Sequence, residues 1–88
     1  MNTYLISYDL IKDKDYKALH EKIRAYPNWA KLHKSFWAIQ SDHSAGQVFD
    51  DLTTALDGDD KLLVVKSGHD AKWHVLDDKV DAWIRQNI

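Results

Sequence analysis

The segment Thr3-Tyr4-Leu5-Ile6-Ser7-Tyr8-Asp9 is rich in β-branched, aromatic and apolar residues, and it ends on a carboxylate. Those residue types mark a strand. Side chains alternate across a strand, so Tyr4, Ile6 and Tyr8 share one face while Leu5, Ser7 and Asp9 share the other. Apolar residues fall on both faces, which places this strand in the middle of a sheet. Asp is depleted from strand interiors, so Asp9 marks either the cap of the following turn or a site of chemistry.

The periodicity then changes. Tyr16, Leu19, Ile23 and Tyr26 fall at helical spacing, and the spacing predicts a helix from about Asp15 to Ala25. Asp13 or Asp15 is the expected N-cap, Lys22 and Arg24 suit the last turn, and Pro27 ends the helix. Trp29 to Ser41 alternates as two strands joined near Lys34-Ser35, with no Asn-Gly or Gly-x signature at the join. Ser44 and Gln47 have capping-box spacing. They open a helix with the stripe Ala45, Val48, Phe49, Leu52, Ala55 and Leu56, for which Gly58 is the expected left-handed stop. Lys61-Leu62-Leu63-Val64-Val65-Lys66 is nearly all apolar, as in a centrally buried strand. Ala71 to Leu76 is a candidate fifth strand. Asp77 or Asp78 caps a last helix from Lys79 to Asn87, with Val80, Trp83, Ile84 and Ile88 on one stripe.

Strand, helix, strand, strand, helix, strand is the order of two interleaved β-α-β units. The expected fold is therefore α+β and ferredoxin-like: a βαββαβ antiparallel sheet with two helices on one face, plus a C-terminal strand and helix. Eighty-eight residues make one domain, with residues 1–67 as core and 70–88 as an extension. A chain this short buries only ~60–65% of its unfolded surface. Four Trp, four Tyr and two Phe are many aromatics for that length, which points to a homodimer with the extension at its interface.

Several chemistries are excluded by residue type or spacing. There is no cysteine, so disulfides and thiolate metal sites are absent, which fits a cytoplasmic protein. No run reaches membrane-spanning length. The five histidines lack zinc spacing, no serine stands in a Gly-x-Ser-x-Gly elbow, and the three glycines are isolated. Asp57, Asp59 and Asp60 lack the rest of a calcium loop and read as a solvated turn. The formal net charge is −2, so a nucleic-acid contact needs a local patch or a bound cation. Arg24, Lys31, His33 and Lys34 form a modest basic neighbourhood, which an ordinary charged sheet edge also explains. Trp29 and Trp37 are candidates for base stacking or for core packing.

The opening Met1-x-x-Tyr4-Leu5-Ile6-Ser7-Tyr8-Asp9-Leu10 resembles the start of the CRISPR-associated Cas-two proteins, whose first strand ends in a Tyr-Asp or similar pair. Ser35-Phe36-Trp37-Ala38-Ile39 resembles that family's third strand, and Ser44-Ala45-Gly46-Gln47 falls where its second helix begins. The resemblance covers about residues 3–67. The tail from Trp73 through Trp83-Ile84 is similar to a SinR-like subgroup, and VapD-type toxins share the scaffold. After Asp9 the chain departs from the pattern, with Leu10-Ile11 preceding the charges.

The resemblance implies a homodimer with Asp9 near the two-fold axis. There Asp9 is the expected metal ligand and catalytic residue, holding Mg2+ for hydrolysis of RNA or DNA phosphodiester bonds. It implies an integrase or an antitoxin as further partner. Lys31, Lys34 and Ser35 are the candidate nucleic-acid-binding residues. The alternative is a non-catalytic homodimeric module that binds nucleic acid or protein.

Overall fold

The central strand forms as its two apolar faces require. In the computed structural model, which describes residues 1–9, 16–74 and 77–88, β1 spans Asn2–Asp9. It is followed by α1 (Lys17–Arg24), β2 (Asn28–His33), β3 (Phe36–Ser41), α2 (Ala45–Thr53), β4 (Lys61–Lys66) and α3 (Asp78–Asn87). The strands form one antiparallel sheet in the order β2-β3-β1-β4, with Ile6 opposite Trp37 on one side and Val64 on the other.

Each face of the sheet has its own core. Tyr4, Ile6 and Tyr8 pack with Trp37 and Ile39 of β3, Leu19 and Ile23 of α1, and Val48 and Leu52 of α2. On the other face Ala30, Leu32 and Ala38 pack with Val80 and Ile84 of α3, and Leu5, Phe36, Trp73 and Trp83 lie against them. So α1 and α2 cover one face and α3 covers the β2–β3 half of the other. The stripe of α3 thus finds its apolar surface in the chain's own sheet.

Local signals set several boundaries. Ser44 accepts from the Gln47 amide at 3.2 Å and the Gln47 side chain accepts from the Ser44 amide at 2.8 Å, a complete capping box. Asp77 caps α3 by accepting from the Val80 amide at 2.9 Å. Replacing Asp77 by Ala is expected to cost about 1 kcal/mol, the usual worth of such a cap, read as a lower urea midpoint at unchanged slope.

Other expectations are corrected. β4 is an edge strand rather than a central one, with Leu63 59% and Val65 44% exposed. A continuous apolar run reads the same whether one face or both are covered, and here α3 stops short of β4. Ala71 to His74 form no strand, while Val75 and Leu76 lie outside the described residues. The Trp73 indole instead donates to Asp81 at 2.8 Å, and Arg85 stacks on its ring, so this segment is tied to α3. No glycine has positive φ, and α2 ends at Thr53 through a right-handed cap at Thr54, not at Gly58. Phe49, expected in the buried stripe of α2, is 40% exposed. Tyr16 stands at the N-cap of α1 without a side-chain cap bond; Asp13 and Asp15 lie outside the described residues.

Candidate functional site

The strand register gathers one set of residues at one end of the sheet. Asp9 is paired with Lys61, Ser7 with both Phe36 and Leu63, and His33 with Phe36. The end of β1, the β2–β3 turn at Lys34-Ser35 and the start of β4 therefore adjoin. The Tyr8 amide donates to the Ser35 carbonyl at 3.2 Å, which fastens the turn to the end of β1.

Asp9 is exposed and its side chain makes no hydrogen bond or ion pair among the described residues. It does not cap α1, whose N-cap is Tyr16. A hard, unengaged carboxylate at a strand end suits a hard cation chemically. Asp9 offers one carboxylate, so an ion held there needs further ligands from water, substrate phosphate or a second copy to complete its shell.

Ser35 is the only non-glycine residue with positive φ among the described residues, at 67°. That conformation is uncommon outside glycine and costs on the order of 1 kcal/mol or more. It closes the two-residue link between β2 and β3, where the pairing register also shifts between Lys31 and His33. Lys34 is exposed beside it. Lys31 is not brought to Asp9. It pairs across from Trp37 on the α1/α2 face, with its ammonium 5.7 Å from the Trp37 ring centre.

The structure adds Tyr8 and His20, which the sequence reading did not single out as a site. The Tyr8 oxygen accepts from the Trp37 indole at 3.1 Å and shares a 2.6 Å hydrogen bond with His20 Nε2. Tyr16 and His20 pack beside Tyr8 with ring centres 5.8 to 5.9 Å apart. The findable signal was the Tyr16–His20 spacing of one helical turn beneath a strand whose Tyr8 faces the same core.

Burial raises the Tyr8 phenol above its ordinary 10.0, with Tyr16 adding to the shift and the Trp37 N–H opposing it. Tyr26 is raised further, first by burial and then by its 2.9 Å hydrogen bond to Asp51. Both phenols thus hold their proton more tightly folded than unfolded. Their contribution is whole below the unfolded value near 10.0 and is lost as pH rises toward the folded values. Urea denaturation is expected to show stability falling above about pH 10, with a flatter fall in Tyr26→Phe.

Asp57, Asp59 and Asp60 offer carboxylate oxygens within 4.8 Å of one another, the one group of three potential metal ligands among the described residues. They stand in the turn before Lys61, at the same end of the sheet as Asp9. A cleft of about 600 Å³ lies at the other end and is lined by Tyr26, Pro27, Asp42, His43 and Asp51. Among the described residues no helix is long and apolar enough to cross a membrane.

No family model, no curated protein and no solved structure matches the chain.

Proposed function

We propose that the chain is a Cas-two-like homodimeric endonuclease on a ferredoxin-like scaffold, hydrolysing phosphodiester bonds of RNA or DNA with magnesium held at Asp9. The carrying observation is the exposed Asp9 carboxylate, without a hydrogen-bond or ion-pair partner among the described residues, at the end of the central strand and beside the strained Lys34-Ser35 turn. The βαββαβ order, the strand order β2-β3-β1-β4 and the placing of α1 and α2 on one face support the scaffold.

The second copy has a natural place. Asp9, Ser7 and Leu5 pair with Lys61, Leu63 and Val65, so these residues share one sheet face. α3 leaves that half uncovered, and Leu63 and Val65 are exposed there. A partner seated on this apolar patch by a two-fold axis brings two copies of Asp9 near each other. Two like charges brought close must be relieved by a proton or by a cation.

In this reading Asp9 binds the cation, the Lys34 ammonium draws in the phosphate charge, and the Ser35 hydroxyl donates to a phosphate oxygen. Bound magnesium would polarise the scissile phosphate and lower the pKa of its water. The protein would act in the cytoplasm, beside an integrase or an antitoxin.

A second reading, a non-catalytic nucleic-acid- or protein-binding homodimer, is favoured by Lys61 across from Asp9, a cation already present at the carboxylate's end of the sheet. Calorimetric titration with Mg2+ separates the two. The nuclease reading expects saturable binding of one ion per two chains, lost in Asp9→Asn. An absence of Mg2+ binding favours the module.

A further inference from the structure

Trp29 is 40% exposed on edge strand β2, an unusual cost for a large ring in so small a protein. It is not a loose surface side chain. Its ring lies against Trp37, with centres 5.5 Å apart. Trp37 is only 1% exposed and is fixed from behind by the Tyr8 oxygen and by the His20 ring, 5.1 Å away. A row of rings thus runs from His20 through Trp37 and comes to the surface at Trp29.

Lys31 follows two residues later on the same face of β2, its ammonium over the Trp37 ring. Arg24, Lys31 and Lys34 are all exposed, and none is ion-paired among the described residues. Of these cations Lys31 is the one beside the rigidly backed indole, on the same face of β2 and over the ring that Trp29 lies against.

We infer that Trp29, backed by Trp37 and flanked by Lys31, is a stacking platform for an unpaired base of a single-stranded nucleic acid. An indole offers a π-face that any base can stack on, and a neighbouring ammonium meets the adjoining phosphate. Duplex bases are already stacked and paired, so the platform selects single strands. The second copy proposed above covers the opposite face of the sheet and leaves Trp29 open. This inference rests on the nucleic-acid reading and adds the strandedness of its substrate.

The test is fluorescence anisotropy with short labelled single-stranded RNA, single-stranded DNA and the matching duplex, in EDTA so that no metal-dependent cleavage intervenes. Single strands are expected to bind more tightly than duplex. Trp29→Ala should weaken single-strand binding about tenfold, the order expected for one lost stacked base, while Trp29→Phe retains most of it. Lys31→Gln should make the salt dependence shallower by about 0.7 in log–log slope, one phosphate contact on a single strand. Duplex bound as tightly as single strand, no binding of either, or unchanged affinity in Trp29→Ala overturns the inference. So does a Trp29→Ala effect confined to sedimentation, which assigns the ring to self-association. Single-strand binding without cleavage when Mg2+ is restored upholds the platform and removes the nuclease reading alone.

Discussion

Asp9→Asn is expected to leave the chain folded and to lower magnesium-dependent cleavage by about a hundredfold or more, since metal charge stabilisation is worth several kcal/mol at the transition state. Folding should barely change. Asp9 is exposed and its side chain makes no hydrogen bond or ion pair among the described residues, so the substitution removes no such bond there. Surface changes of that kind stay within about 0.5 kcal/mol. The Asn amide keeps the shape of the carboxylate but not its charge, so cation affinity falls while the surface geometry is kept. Single-turnover cleavage of a labelled oligonucleotide, beside a thermal melt of the same preparation, measures both halves. A variant as active as the wild type would point to another site; a variant that melts far lower would make Asp9 structural.

Trp37→Ala carries the largest expected effect on stability. Trp37 packs where the central sheet meets α1 and α2 and is 1% exposed. Its loss leaves a cavity and removes the N–H that the Tyr8 oxygen accepts, and also the ring that backs Trp29. Truncating such a residue costs about 3–5 kcal/mol. For a domain of this size, that lowers Tm by roughly 15–30 °C. Calorimetry should also show Trp37→Phe in between, with the ring volume partly restored and the N–H still missing. A fall of only a few degrees in Trp37→Ala would mean that the surroundings close over the gap.

Much of the scaffold is legible in local pattern. The two-faced apolar strand at Thr3–Asp9 placed β1 centrally, and the Ser44–Gln47 spacing gave the start of α2. What local pattern cannot carry is which neighbour covers a given face. Leu62 to Val65 are apolar throughout, yet the strand order leaves β4 at the sheet edge and α3 covers only the β2–β3 half, so Leu63 and Val65 stay exposed. Trp73 has strand-like neighbours in sequence, but its indole bond to Asp81 ties it to α3. At the candidate site, Asp9, Lys34 and Ser35 stand at one end of the sheet, where the end of β1 meets the β2–β3 turn. Lys31, expected with them, lies on the other face, because two-residue alternation along β2 turns it toward Trp37. The Tyr8–His20 pair is hidden from local pattern because its hydrogen bond joins a strand to a helix across twelve residues.

Leu63 and Val65 are exposed on the same sheet face as Asp9, and the proposed function places the second copy there. If the second copy sits on that patch, dimerisation and metal binding stand or fall together.

The most direct measurement is cleavage of labelled RNA and DNA by the purified wild-type chain across a titration of Mg2+ and Mn2+, with EDTA as the zero point. The proposed function predicts cleavage that rises with metal, saturates and vanishes in EDTA. No cleavage of either polymer at any metal concentration, or cleavage that survives EDTA, would contradict it.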